Sequence, residues 1–314
     1  MDYVSYFFCE DVTDLLSSCN PISQKANGPP TSISNLTKLV DSIWSRAALD
    51  HDQNDEFYHL EVQPTCKGEI SLFCTNGDRR FNFVERTRLD RFKRCVELTF
   101  FNGYFEEAKE NSAIPNLTTL FKNFILPRRP LKIRLGRDLE LDTRKTFYIE
   151  VLEQILIFKV PIVEFYISSY PHVVDARYLS VLQDCIQLQA DLGCTKVFHF
   201  TADVWLSRFL NPAPIAQLFV QEQLERFEVH GIVVDAKMIK ELIDSWIRYP
   251  KKSFYLFSPL QCSAETFLNA GMTVIPTSDE RLRKYCFKHP ICNLKMIFDV
   301  SHDMLSSEVI NCDE

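Results

Sequence analysis

The residues best suited to chemistry are thinly spread. Cys286, His289 and Cys292 stand at three-residue intervals and carry soft ligands of the kind zinc takes, with Cys262 or His302 available as a fourth. No Cys-x-x-Cys pair accompanies them and Pro290 interrupts the run, so the spacing also fits a buried cysteine pair beside a surface histidine. Asp299, His302 and Asp303 could serve acid–base or metal chemistry, but they lead into the polar stretch 306–314, which fits a solvated terminus. Arg79, Arg80, Arg86, Arg88, Arg91, Lys93 and Arg94 form a basic cluster interrupted by Glu85 and Asp90, suited to a solvated face or to an acidic partner peptide. With only eight glycines and no Gly-x-Gly-x-x-Gly, Walker-type Gly-Lys-Ser/Thr or Gly-x-Ser-x-Gly, neither a nucleotide-binding turn nor a hydrolase elbow is encoded. The expectation is a non-enzyme with no catalytic residue, no cofactor and no resident metal.

The elements that must position any site are clearer. Short apolar, β-branched and aromatic runs at 96–100, 131–135, 162–167, 196–200, 226–230, 253–257 and 294–298 recur about every 30 to 35 residues through the middle of the chain. The last interval is longer and holds Met272, Thr273, Val274 and Ile275, an additional strand. Between the runs, helical spacing is clearest for Met238, Ile239, Leu242, Ile243 and Trp246, then for Tyr148, Val151, Leu152, Ile155 and Leu156, and less regularly for Leu179, Leu182, Ile186 and Leu188. Asp142 or Thr143, Asp175 and Asp235 are placed to cap these helices, and Gly193 to close the third. A strand and its helix cannot bury their own apolar faces, so neighbouring units must stack. The pattern predicts an α/β fold with a mainly parallel sheet, an irregular leucine-rich-repeat-like solenoid over 89–300 that lacks the tight leucine consensus, and a polar tail at 301–314.

Alternation along such strands sends one set of side chains inward and the other outward. It predicts Val163, Phe165, Phe227 and Val229 as buried, and Glu164, Tyr166, His199, Glu228, His230 and Tyr255 as one open face suited to protein recognition. A register shift of one residue inverts every assignment.

Composition narrows the partners. The 314 residues carry 46% hydrophobic and 12% aromatic side chains, which is globular, and a net charge of −7, which argues against nucleic acid or an anionic membrane surface. No apolar run approaches the roughly 20 residues of a membrane span. Eleven scattered cysteines, an odd number, and a start without a basic, apolar leader favour the reducing cytoplasm or nucleus, where the sequons at Asn35 and Asn116 are chance matches.

The N-terminal part breaks the repeat. Val4, Phe7, Phe8, Val12, Leu15 and Leu16 form one short apolar helix pattern and Leu36, Leu39, Val40, Ile43 and Trp44 another, separated by a loop at 17–34 that contains Gly28, Pro29 and Pro30. Two such helices must dock on the rest of the chain, as a cap for an open end of the repeats, or on a partner. Residues 61–88 form a junction in which 69–74 and 80–84 flank Asn76 and Gly77 as a hairpin.

The opening from Met1 to Val12, followed by a second helix ending in Ile43 and Trp44, resembles the start of the nematode proteins with a degenerate F-box. Residues 227–234, the helix carrying Leu242 and Trp246, and Tyr249, Pro250, Lys251 and Lys252 are similar to the nematode F-box-associated domain. The chain departs from the usual F-box at Ser5, where proline is common, and in a longer insertion between the helices. The resemblance implies an F-box-like helical segment at 1–60, with Val4, Phe7, Phe8, Val12, Leu15 and Leu16 binding a Skp-type adaptor. It also implies a repeat domain that selects a target protein for a cullin-based ubiquitin ligase. The alternative is a stand-alone repeat scaffold without a ligase.

Overall fold

The computed structural model describes residues 44–48, 56–64, 69–76, 79–82, 93–101, 113–114, 116–124, 131–136, 146–169, 176–202, 209–250, 253–279, 281–301 and 304–312. The fold is mixed α/β, and the chain divides into two compact units, Met1–Ile133 and Arg134–Glu314. Val4, Phe7, Phe8, Val12, Leu15 and Leu16 lie outside the described residues; of the second expected apolar helix only Trp44 is described, opening the helical stretch 44–48.

In the first unit, β1 (Glu56–Pro64) pairs antiparallel with β2 (Ile70–Asn76), which turns back into β3 (Arg79–Asn82). Asn76 pairs with Arg79, so β2 and β3 form the expected hairpin. On its other side β1 runs parallel to β4 (Lys93–Phe100), with a register shift between Tyr58 and His59, and the two-residue β5 (Ala113–Ile114) pairs with β2. Helix α1 (Leu117–Phe124) begins where Asn116 Oδ1 accepts from the Thr119 amide at 2.9 Å, so the sequon asparagine serves as an N-cap. Its Phe121 stacks on Phe100, ring centroids 6.4 Å apart, among buried Leu60, Val62, Leu72 and Leu98. Strand β6 (Leu131–Leu135) carries the chain across the boundary.

The second unit opens with strand–helix alternation. Helices α2 (Phe147–Phe158), α3 (Ala176–Leu192), α4 (Ala213–Phe219) and α5 (Ala236–Arg248) alternate with β7 (Ile162–Ser169), β8 (Val197–Ala202), β9 (Arg226–His230) and β10 (Ser253–Pro259). The four strands are parallel and lie side by side in chain order. Phe165, Phe198, Phe227 and Phe254 occupy one row across them, all inward and buried, and Phe219 of α4 seats its ring 5.0 Å from Phe227 and 5.1 Å from Phe254. Each such ring contributes about 1.5–3 kcal/mol by leaving water. Val163 and Val229 are buried as expected.

Within the second unit, polar side chains fix where strands and helices join. Gln189 of α3, fully buried, donates to the Val160 carbonyl at 3.0 Å and accepts from the Ile162 amide at 2.9 Å, tying a helix to the start of β7. The Cys185 thiol donates to the Leu152 carbonyl, and burial pushes its pKa far up, so it packs as an inert group between α3 and α2. Asp235 caps α5 by accepting from the Met238 amide at 2.8 Å, and Gly193, at φ 62°, closes α3. At α2 the N-cap is Thr146, whose hydroxyl turns to Glu150; Asp142, Thr143 and Asp175 lie outside the described residues. Gly231 has φ +79°, and a Cβ there would stand 2.2 Å from the Ala202 carbonyl oxygen.

The parallel pattern stops at β10. After α6 (Ala264–Asn269), strands β11 (Thr273–Ile275), β12 (Leu282–Lys288), β13 (Leu294–Ser301) and β14 (Met304–Asn311) form antiparallel pairs, and β14 inserts between β13 and β10. The parallel repeat expected through residue 300 therefore ends earlier, and the expected polar tail at 301–314 is largely a strand. Its burial alternates as in a half-buried strand: Leu305 and Ser307 point into the core while Ser306 and Glu308 point out. Phe267 of α6 stacks on Tyr285 at 4.5 Å and meets Phe298 at 5.7 Å, so this half has an aromatic core of its own.

Candidate recognition face

The residues that alternate with the buried phenylalanines collect on the opposite side of β7–β10. Tyr166 pairs with His199, His199 with Glu228 and Glu228 with Tyr255; one step along, Thr201 pairs with His230 and His230 with Phe257. In-register parallel pairing thus ranks like positions across four strands. The rings form a ladder: Arg134 lies 4.1 Å over the Tyr166 ring, Tyr166 is 5.8 Å from His199, His199 6.0 Å from His230, and His230 5.2 Å from Tyr255 and 6.2 Å from Phe257.

Carboxylates sit among the rings. Glu228 Oε2 is 3.2 Å from His199 Nδ1 and 3.0 Å from the Arg226 guanidinium, and its Oε1 is 3.6 Å from His230 Nε2. Partial burial works to raise the Glu228 carboxyl, but the hydrogen bond from His199 and the charges of His199 and Arg226 outweigh it and hold the group below the ordinary carboxylate range. Burial pushes His230 below the ordinary imidazole range, with the His199 charge acting the same way and Glu228 opposing. At 3.6 Å the His230–Glu228 approach is too long for a hydrogen bond, and the buried Nε2 has no hydrogen-bond partner among the described residues. The Tyr166 hydroxyl donates to Glu164 Oε2 at 3.1 Å; burial first, then the Glu164 charge, pushes its pKa up to about 12.

Several chemistries can be weighed on this geometry. Two imidazoles and a carboxylate are the donor set of a divalent-metal site. Here the Arg226 guanidinium already holds one Glu228 oxygen, and among the described residues no three histidine, cysteine, aspartate or glutamate side chains are disposed to hold an ion. Thr201 Oγ1 lies 3.1 Å from His199 Nε2, completing a hydroxyl–imidazole–carboxylate chain with Glu228. The three groups stand on the pleat of a sheet, without the sharp turn that presents a hydrolase nucleophile. What the face offers is contact: Tyr255 and Phe257 are 40% and 43% exposed, with ionic groups beside them, on a backbone locked by parallel pairing.

The six expected face residues share this side, with one correction. Glu164 is only 6% exposed, beneath the Tyr166 hydroxyl, so it supports the face from within. Arg134, Thr201, Arg226, Phe257 and Glu308 were not singled out by sequence reasoning. Phe257 carried a usable signal, since it lies two residues beyond Tyr255 on the same strand.

Two of the other candidate groups, His289 and Asp299, are occupied elsewhere. His289 Nε2 donates to the Ile247 carbonyl at 3.1 Å and its Nδ1 accepts from the Ile291 and Cys292 amides, so neither nitrogen is free for zinc; its ring meets the Trp246 ring at 4.9 Å. Asp299 pairs with Lys284 at 3.0 Å, while His302 and Asp303 lie outside the described residues. Of the basic cluster, Arg86, Arg88 and Arg91 also lie outside them. An open cleft of about 450 Å³ lies between α5 and α6, lined by Lys240, Asp244, Thr266 and Asn269 among others.

Among the described residues no helix is long and apolar enough to cross a membrane. No protein-family model matches the chain, and no curated protein or solved structure is detectably similar to it.

Proposed function

We propose that this chain is a non-catalytic protein-recognition subunit. In this reading an irregular leucine-rich-repeat-like solenoid presents a target, and the N-terminal segment docks on a Skp-type adaptor of a cullin-based ubiquitin ligase. The observation that carries the recognition half is the ring ladder from Tyr166 to Phe257, partly exposed on strands held in register. Strands that follow one another in chain order, with the described helices packed beside one another and Phe219 of α4 against the inward rings, are what a leucine-rich-repeat-like array needs. The ligase half is supported by the F-box-like residues Phe7 and Phe8 in the sequence.

Co-purification with a Skp adaptor tests it. The wild-type chain is expected to retain the adaptor, and a Phe7→Asp, Phe8→Asp variant with an unchanged circular-dichroism spectrum to lose it. A folded wild type that retains no adaptor removes the ligase and leaves a stand-alone binding scaffold.

A further inference from the structure

The two ends of the ring ladder are not equivalent. At the Tyr166 end a cation is already in place: the Arg134 guanidinium lies 4.1 Å over the ring, and the Tyr166 hydroxyl bonds the Glu164 carboxylate. At the other end rings and a carboxylate are present, and among the described residues no cation stands with them. Tyr255 and Phe257 present exposed rings, and Glu308 of β14 stands directly opposite Tyr255 across the β10–β14 pairing. Directly opposed residues in an antiparallel pair point to the same side with Cβ atoms about 5 Å apart. Glu308 is exposed and makes no ion pair among the described residues, whereas Glu228, two strands over on β9, is already held by Arg226 and His199.

From this asymmetry we infer that Tyr255, Phe257 and Glu308 receive an arginine side chain from an extended segment of the target protein, the guanidinium stacking on the rings and pairing with Glu308. The inference rests on the recognition reading above and names the chemistry of the partner. Arginine is favoured over lysine because its planar, weakly hydrated head stacks on an aromatic face, as Arg134 does at the other end, while an arginine's edge donors can still meet a carboxylate. Glu308 supplies a charge that no described residue pairs with, and the neighbouring rings supply a contact area with little side-chain entropy to lose.

The test uses the full chain with isotope-labelled tyrosine and phenylalanine rings, titrated with a short glycine peptide carrying one arginine and with its uncharged citrulline counterpart. Saturable millimolar shifts of the Tyr255 and Phe257 ring signals are expected from the arginine peptide alone. They should weaken as salt rises and become about threefold weaker in Glu308→Gln. Tyr255→Leu, which keeps apolar bulk without the ring, should also weaken them. Equal shifts from both peptides, shifts unchanged in Glu308→Gln, or no shifts at these rings overturn the inference. None of these outcomes touches adaptor retention, so failure here and failure of the ligase reading are separately visible.

Discussion

Between β7 and β10 every strand runs the same way and hands the chain to a helix, whereas from β11 to β14 neighbours alternate in direction and β14 returns to close against β10. In the first half the helices cover one side, with Phe219 of α4 pressed on the inward rings, and the polar chemistry collects on the other. The outward residues there are tyrosine, histidine, glutamate and phenylalanine in register. In the second half the outward positions include Ile297, Asp299, Ser306 and Glu308, with an ion pair from Lys284 to Asp299. At the seam the hydroxyls of Ser258 and Ser307 are buried without a hydrogen-bond partner among the described residues. Parallel repetition thus concentrates functional groups, and the antiparallel half closes the edge while adding one carboxylate to them.

The largest expected effect asks whether the halves unfold together. Phe227→Ala and Phe298→Ala each remove a fully buried ring, at about 3–5 kcal/mol apiece. Because β10 and β14 pair along five residues, urea denaturation should show one transition for either variant. Two separated transitions in Phe298→Ala alone would make the halves independent and break the comparison as drawn.

A smaller effect belongs to the parallel half alone. Gly231→Ala puts a side chain at positive φ and drives a methyl into the Ala202 carbonyl, costing about 2–3 kcal/mol. Hydrogen exchange should speed up first in β8 and β9 and only later in β12 and β13. Uniform acceleration across all four strands would show that the local clash is shared globally.

The smallest effect is acid sensitivity, again on one side of the seam. His230 and Glu228 both have folded pKa values below their ordinary ones, so the unfolded chain binds more protons in each window. Stability is full at neutral pH and falls as pH drops from the ordinary histidine range toward the depressed His230 value. It falls again through the carboxylate range toward the depressed Glu228 value. Both groups are partly exposed, so each contribution is modest. His230→Gln should flatten the first of these declines in midpoints measured across pH; a curve unchanged by that substitution removes His230 from the account.

How much of this was legible in the sequence depended on periodicity. The helix α5 announced itself because Met238, Ile239, Leu242, Ile243 and Trp246 share one face and Asp235 caps it, and all five side chains are buried. The face residues followed from alternation, since a buried Phe227 and Val229 oblige Glu228 and His230 to point the other way. Strand direction was not legible. Residues 294–298 alternate just as 226–230 do, and nothing in a period of two distinguishes a parallel neighbour from an antiparallel one. Strand β14 was hidden by its composition, because Ser306, Ser307 and Glu308 match a solvated tail and only pairing with β10 and β13 makes them a ladder. Arg134 escaped notice for a related reason: its role comes from standing over Tyr166, far away in the chain.

The late arrival of β14 has a consequence for biosynthesis. Strand β10 is made before β11, β12 and β13, yet its second hydrogen-bonding partner is β14, which follows all three. As the chain emerges from the ribosome, β7 to β10 can assemble in order, each on its predecessor, and then wait with one backbone edge open. That open edge carries Tyr255 and Phe257 and is a template for another nascent chain until β14 is released. A chain cut before Met304 keeps the edge open permanently, so its fate is self-association rather than a smaller version of the same protein.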